Sequence, residues 1–102
     1  MSYSIRLTRK ARENIQRLYG YLLQRDKRAA TRAYSAIEKG IASLSDFPFS
    51  CRKADTGEIE DTFLREMLIP FGDSGYIVLF EIEDAETVTI LAIRHQREDD
   101  YH

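Results

Sequence analysis

FLREMLIPFGDSGYIVLFEIEDAETVTILAIRH, residues 63–95, is the stretch whose reading decides the fold. Three runs rich in strand-forming residues are separated by two breaks, FGDSG and DAE, too short to hold a crossover helix. Neighbouring runs must therefore pair as antiparallel hairpins. With side chains alternating across a strand, Tyr76, Val78, Phe80 and Ile82 line one apolar face. Strict alternation continues that face through Val88, Ile90 and Ala92, with Arg94 closing it. The opposite, mixed face takes Ile77, Leu79, Leu91 and Ile93 together with Glu81 and Glu83. The apolar face needs a cover, and the upstream chain supplies one.

Working outward, Tyr3, Ile5 and Leu7 alternate with Ser4 and Arg6, which predicts a short opening strand at a sheet edge. Thr8 suits the N-cap of a helix in which Ala11, Ile15, Leu18 and Leu22 recur at helical spacing, with Tyr19 and Leu23 widening the stripe. Asp26 suits the N-cap of a second helix, with Ala30, Tyr34, Ile37, Ile41 and Leu44 on one side, ending near Asp46 because Pro48 follows. Residues 48–61 show no sustained period and read as a loop. The expected fold is α+β with element order β-α-α-β-β-β. The N-terminal strand and an αα-hairpin pack on one face of a small antiparallel sheet, and a single domain spans residues 1–102. Burying each large aliphatic side chain at this interface contributes about 1.5–3 kcal/mol, enough to fix the helix-on-sheet arrangement.

Composition narrows the function. The chain has 102 residues and a net charge of −2. Residues 1–53 carry 12 Lys and Arg against 4 Asp and Glu, while residues 54–102 carry 3 against 13. The molecule is thus strongly dipolar, and the basic half is either a solvated face or a surface for an acidic partner or nucleic acid. One cysteine, Cys51, excludes an internal disulfide framework and suits a reducing cytoplasm. With His only at 95 and 102, no metal site or cofactor is expected. The N-terminus lacks an apolar export signal, and no apolar run approaches a membrane span.

The element order, the PFSCR stretch at 48–52, Arg65 opening the meander, Tyr76 in the next strand and VTILAIRHQREDDY near the end together resemble the RelE/ParE superfamily of type II toxin–antitoxin toxins. Where the family commonly has Gly before the loop arginine, this chain has Cys51. The resemblance implies a toxin, able to arrest growth or stabilise a plasmid, that a co-encoded and partly disordered antitoxin neutralises by wrapping it. It implies one of two targets. RelE-like members cut ribosome-bound mRNA without metal, and ParE-like members inhibit DNA gyrase without cleavage. A nuclease site here would draw on Arg65, Arg94, His95 and Tyr101, with Arg52 and Lys53 from the loop, two arginines clamping phosphate while His95 or Tyr101 moves a proton. Ordinary structural roles compete for each: a hydrogen-bonded His95, and arginines salt-bridged to nearby carboxylates.

Charge weighs against the nuclease. RNA affinity rests largely on neutralised phosphates, yet the sheet half is the acidic one and no lysine follows Lys53. The expectation is therefore a ParE-like gyrase inhibitor whose basic hairpin, through Arg9, Arg17, Arg28 and Arg32, faces the target. An inactive relative that only binds antitoxin is the third possibility. Ile77, Leu79, Leu91 and Ile93, on the face the helices leave bare, are the expected antitoxin-binding residues unless the 48–61 loop folds over them. Without antitoxin, the same surface could drive homodimerisation.

Overall fold

The computed structural model describes residues 2–53, 64–72 and 74–97. Its strands are β1 (Ser4–Leu7), β2 (Arg52–Lys53), β3 (Leu64–Phe71), β4 (Ser74–Ile82) and β5 (Thr87–His95), with helices α1 (Arg9–Leu23) and α2 (Lys27–Ser43) between β1 and β2. They form one five-stranded sheet in the order β1-β5-β4-β3-β2. β3, β4 and β5 make the expected antiparallel meander, and β1 lies at the edge as expected. The sheet as a whole is mixed, because β1 runs parallel to β5. Residues 48–61 are not wholly a loop: Pro48–Ser50 form a 3₁₀ turn, Arg52 and Lys53 pair with β3, and residues 54–61 lie outside the described residues.

Both helices start where a side-chain acceptor supplies the first turn. Thr8 Oγ1 accepts the Ala11 N–H at 3.1 Å, and Asp26 Oδ1 accepts those of Arg28 and Ala29 at 3.0 and 3.2 Å. Their apolar stripes, including Ala11, Leu18, Ala33, Ile37 and Ile41, pack with Val78, Phe80, Val88 and Ile90 into one core. α2 comes so close to β3 that a β-carbon on Gly40 would sit 2.7 Å from Ile69 Cδ1. Two stripe positions turn outward instead: Leu23, at the hairpin bend, and Tyr34 are 42% and 46% exposed.

The strict alternation fails in β5. Phe80 pairs with Ile90 but Leu79 with Ala92, so Leu91 is an extra, bulged residue. Beyond it the two faces exchange. Ile93 is paired with Val78 and completely buried in the core, whereas Ala92 and Arg94 pair with Leu79 and Ile77 on the other face. The expected placement of Ile93 on the mixed face, and of Ala92 and Arg94 on the apolar one, is corrected accordingly.

The bulge has a cause outside the strand. β1 ends at Leu7, and α1 takes over the outer edge of β5. The Thr8 N–H donates to the Ile90 carbonyl at 3.0 Å, and Thr8 Oγ1 donates to that of Leu91 at 3.0 Å. Asn14, buried on α1, accepts the Ile93 N–H at 2.9 Å. Buried backbone groups need partners, and these side chains provide them where no strand does.

Candidate functional site

The sheet places the charged candidates at three separate stations. Arg65, half-buried on β3, pairs with Phe80 and so sits on the helix-covered face. Its guanidinium donates to the Cys51 carbonyl at 2.7 Å and lies 5.3 Å from the centre of the Phe49 ring. Arg65 thus fastens the Phe47–Cys51 turn to the sheet, rather than pairing with a strand carboxylate. Burial pushes the Cys51 thiol up, against the lowering pull of Ser50 and the Arg65 charge, so the sulfur is a poor nucleophile at neutral pH.

His95 lies on the same face but opposite Tyr76. Its pairing position, Tyr76, is four positions along β4 from Phe80, the partner of Arg65, about 13 Å along the strand. Its Nδ1 accepts the Arg97 N–H at 3.1 Å. The neutral ring therefore carries its proton on Nε2 and donates it to Ser74 Oγ, 3.0 Å away. The ring also stands edge-on to Tyr76 at 5.6 Å, and burial raises the Tyr76 phenol above its ordinary range.

Arg94 is on the opposite face. One of its guanidinium nitrogens donates to the His95 carbonyl at 3.2 Å and the Gln96 carbonyl at 3.4 Å, turning it along the end of β5. Tyr101 lies outside the described residues. Arg65, His95 and Arg94 consequently do not share one site: two are apart along the sheet and the third is behind it.

On that second face the sequence reading missed Glu66, which is only 7% exposed and lies 4.0 Å from Arg52 across β2 and β3. The signal was there in principle, since strand alternation opposes Glu66 to Leu79. Further along the same face, Arg6 reaches Glu83 at 3.7 Å, and Thr89 donates to Glu83 at 2.6 Å. The face therefore mixes charged and apolar side chains, with Leu68 44% exposed, Leu79 half-buried and Arg94 opposite Ile77. Ile77, though on this face, is only 5% exposed, and Leu91 is half-buried at the bulge.

The hairpin arginines Arg9, Arg17, Arg28 and Arg32 are all exposed. Arg9 is paired with Glu13 at 3.3 Å, one turn on. At the hairpin bend, Arg25 covers the Tyr21 ring at 3.9 Å. Among the described residues no three His, Cys, Asp or Glu side chains gather into a metal site, and no helix is long and apolar enough to cross a membrane.

Two helices laid over one face of a small curled sheet, with a charged and apolar face opposite, define the architecture of the RelE/ParE superfamily toxins. A family model described as "ParE toxin of type II toxin-antitoxin system, parDE" matches residues 5–100. The chain belongs to this family, and it is a type II toxin–antitoxin toxin of the RelE/ParE superfamily. It is 30% identical over 95 residues to Toxin RelE3 of Caulobacter vibrioides, covering 93% of this chain and 96% of that one. It is 29% identical over 82 residues to Toxin RelE1 of the same organism, covering 80% and 82%. The fold resembles that of a chain in the chromosomal ParDE toxin–antitoxin system from P. aeruginosa, with a TM-score of 0.70 over 92% of this chain and 96% of that one. At 17% identity, that likeness concerns the fold alone.

Proposed function

We propose that this toxin acts as an inhibitor of DNA gyrase rather than as an mRNA endonuclease, and that a cognate antitoxin neutralises it. The observation that carries the choice is the scatter of the proton-transfer and phosphate-binding candidates. General acid–base cleavage needs its groups within hydrogen-bond reach of one phosphodiester. Here Arg65 is committed to the Cys51 carbonyl, Arg94 is on the other face of the sheet, and the His95 proton is directed at Ser74. An inhibitor that works by docking needs no such constellation. Its target-facing surface is the exposed basic hairpin, with Arg17, Arg28 and Arg32 meeting carboxylates on the enzyme.

The antitoxin surface is the sheet face away from the helices, centred on Leu68 and Leu79, with Leu91 at its margin. Ile93 is completely buried and Ile77 contributes little accessible area, so neither belongs to the proposed surface. Ordered-on-binding segments suit such a face because they can follow its curvature. Replacing Leu68 and Leu79 together by Asp is expected to weaken antitoxin binding by about 100-fold, as measured by calorimetry.

Purified toxin is expected to inhibit gyrase supercoiling at micromolar excess, with Arg28→Glu/Arg32→Glu losing about tenfold in potency. Unimpaired supercoiling rejects the gyrase reading. The names of the two Caulobacter relatives favour the rival, mRNA cleavage. Ribosome-dependent cuts in primer extension, abolished by Arg65→Ala or Arg94→Ala, would establish it.

A further inference from the structure

We propose that the free toxin self-associates by seating Phe47, on the turn that Phe49 braces, in the apolar recess between the helices and β1 of a second copy, and reciprocally. Among the described residues Phe47 and Phe49 are the most exposed large apolar side chains, at 69% and 62%. Their display is rigid. Pro48 between them is fully buried, Tyr3 stands edge-on to Phe49 with ring centres 6.3 Å apart, and Arg65 holds the Cys51 carbonyl from below. Rigid aromatics lose little freedom when they bind, which makes them effective anchors.

The same molecule carries a matching receptor. Leu7, Ile15, Tyr34, Ile37 and Ile41 line an open recess of about 180 Å³, with Glu38 at its rim. A phenyl ring fits that space, and Tyr34, which turns outward from its helical stripe, forms its exposed aromatic wall. Charge agrees with shape. Glu38 on the recess and Lys53 beside the phenylalanine turn are both exposed and have no ion-pair partner among the described residues.

Position agrees as well. The turn touches Tyr3 before the start of β1, and the recess contains Leu7 at its end. The Phe49 ring and the recess thus lie toward the two ends of β1, about 13 Å apart along that strand. In the proposed pair a two-fold axis relates the two contacts, giving a closed pair rather than an open chain. Aromatic rings beside Arg52 and Lys53 also suit single-stranded nucleic acid. The ten residues after Lys53, however, hold four carboxylates and no lysine or arginine, which favours a protein occupant.

The test is sedimentation equilibrium of the antitoxin-free toxin from about 5 to about 200 μM, the range in which a modest reciprocal interface is detectable. The wild-type chain is expected to form a reversible dimer. Phe47→Asp and Glu38→Lys each raise the dissociation constant at least about tenfold, and Glu38→Lys/Lys53→Glu recovers most of the loss. All three positions are exposed, so thermal unfolding of the variants stays at the wild-type temperature. A wild-type monomer throughout, a dimer indifferent to Phe47→Asp, or a double variant no better than Glu38→Lys overturns the proposal. So does a monomer that instead binds a fluorescent oligonucleotide through Phe47.

Discussion

The two halves of β5 make an instructive contrast. From Thr87 to Ile90 the strand has ordinary neighbours on both sides, β4 and the parallel β1. Its side chains alternate as the sequence requires, and Val88 and Ile90 are completely buried. Past Leu91 the outer neighbour is a helix whose Thr8 and Asn14 side chains replace a strand's backbone. There the alternation changes phase. Burial thus follows who satisfies the backbone, and the pattern of apolar letters follows behind.

The contrast is sharpest at Leu91 and Ile93, which strict alternation treats as equivalent. Ile93→Ala removes a completely buried side chain and is expected to cost about 2–5 kcal/mol, whereas Leu91→Ala, half-buried, costs about 1 kcal/mol or less. Urea unfolding of both variants measures the difference, and equal losses would mean that the bulge is absent. Asn14→Leu keeps the bulk but strands the Ile93 N–H, a loss of about 1–3 kcal/mol in the same assay. Thr8→Val keeps the shape and removes both the α1 cap and the bond to Leu91, costing about 1–2 kcal/mol.

The smallest effect concerns the far end of the strand, where Tyr76 meets His95. Burial raises the Tyr76 phenol in the folded protein. The unfolded chain therefore loses that proton first as the solution becomes alkaline. The stabilisation is complete below the unfolded value of about 10 and is lost as pH rises from there through the folded one. Tyr76→Phe should flatten this alkaline decline in stability while leaving neutral stability within about 1 kcal/mol. Stability followed from pH 8 upward, to about pH 11, decides it.

Much of the scaffold was legible locally. Thr8 and Asp26 announce their helices because a short polar side chain before an apolar stripe fills the free N–H groups of a first turn. The hairpins follow from turns too short for any other connection, and the edge position of β1 from its brevity. The site was less legible. Arg65 looks like a phosphate clamp in sequence, yet its partner, the Cys51 carbonyl, is a backbone atom that no residue pattern marks. The Arg52–Glu66 contact depends on β2, a two-residue strand too short to show a period. The recess becomes visible only once α1, α2 and β1 are side by side.

By itself the sequence determined the two helices and the four longer strands, their order, the apolar stripes and the family, because each rests on contacts between residues close in the chain or on a pattern that recurs within one element. Only the tertiary structure decided which face Ile93 and Arg94 occupy and whether the charged candidates meet. Those outcomes hang on hydrogen bonds from Asn14 and Thr8 to a strand some 80 positions away, a partnership that neither segment encodes alone.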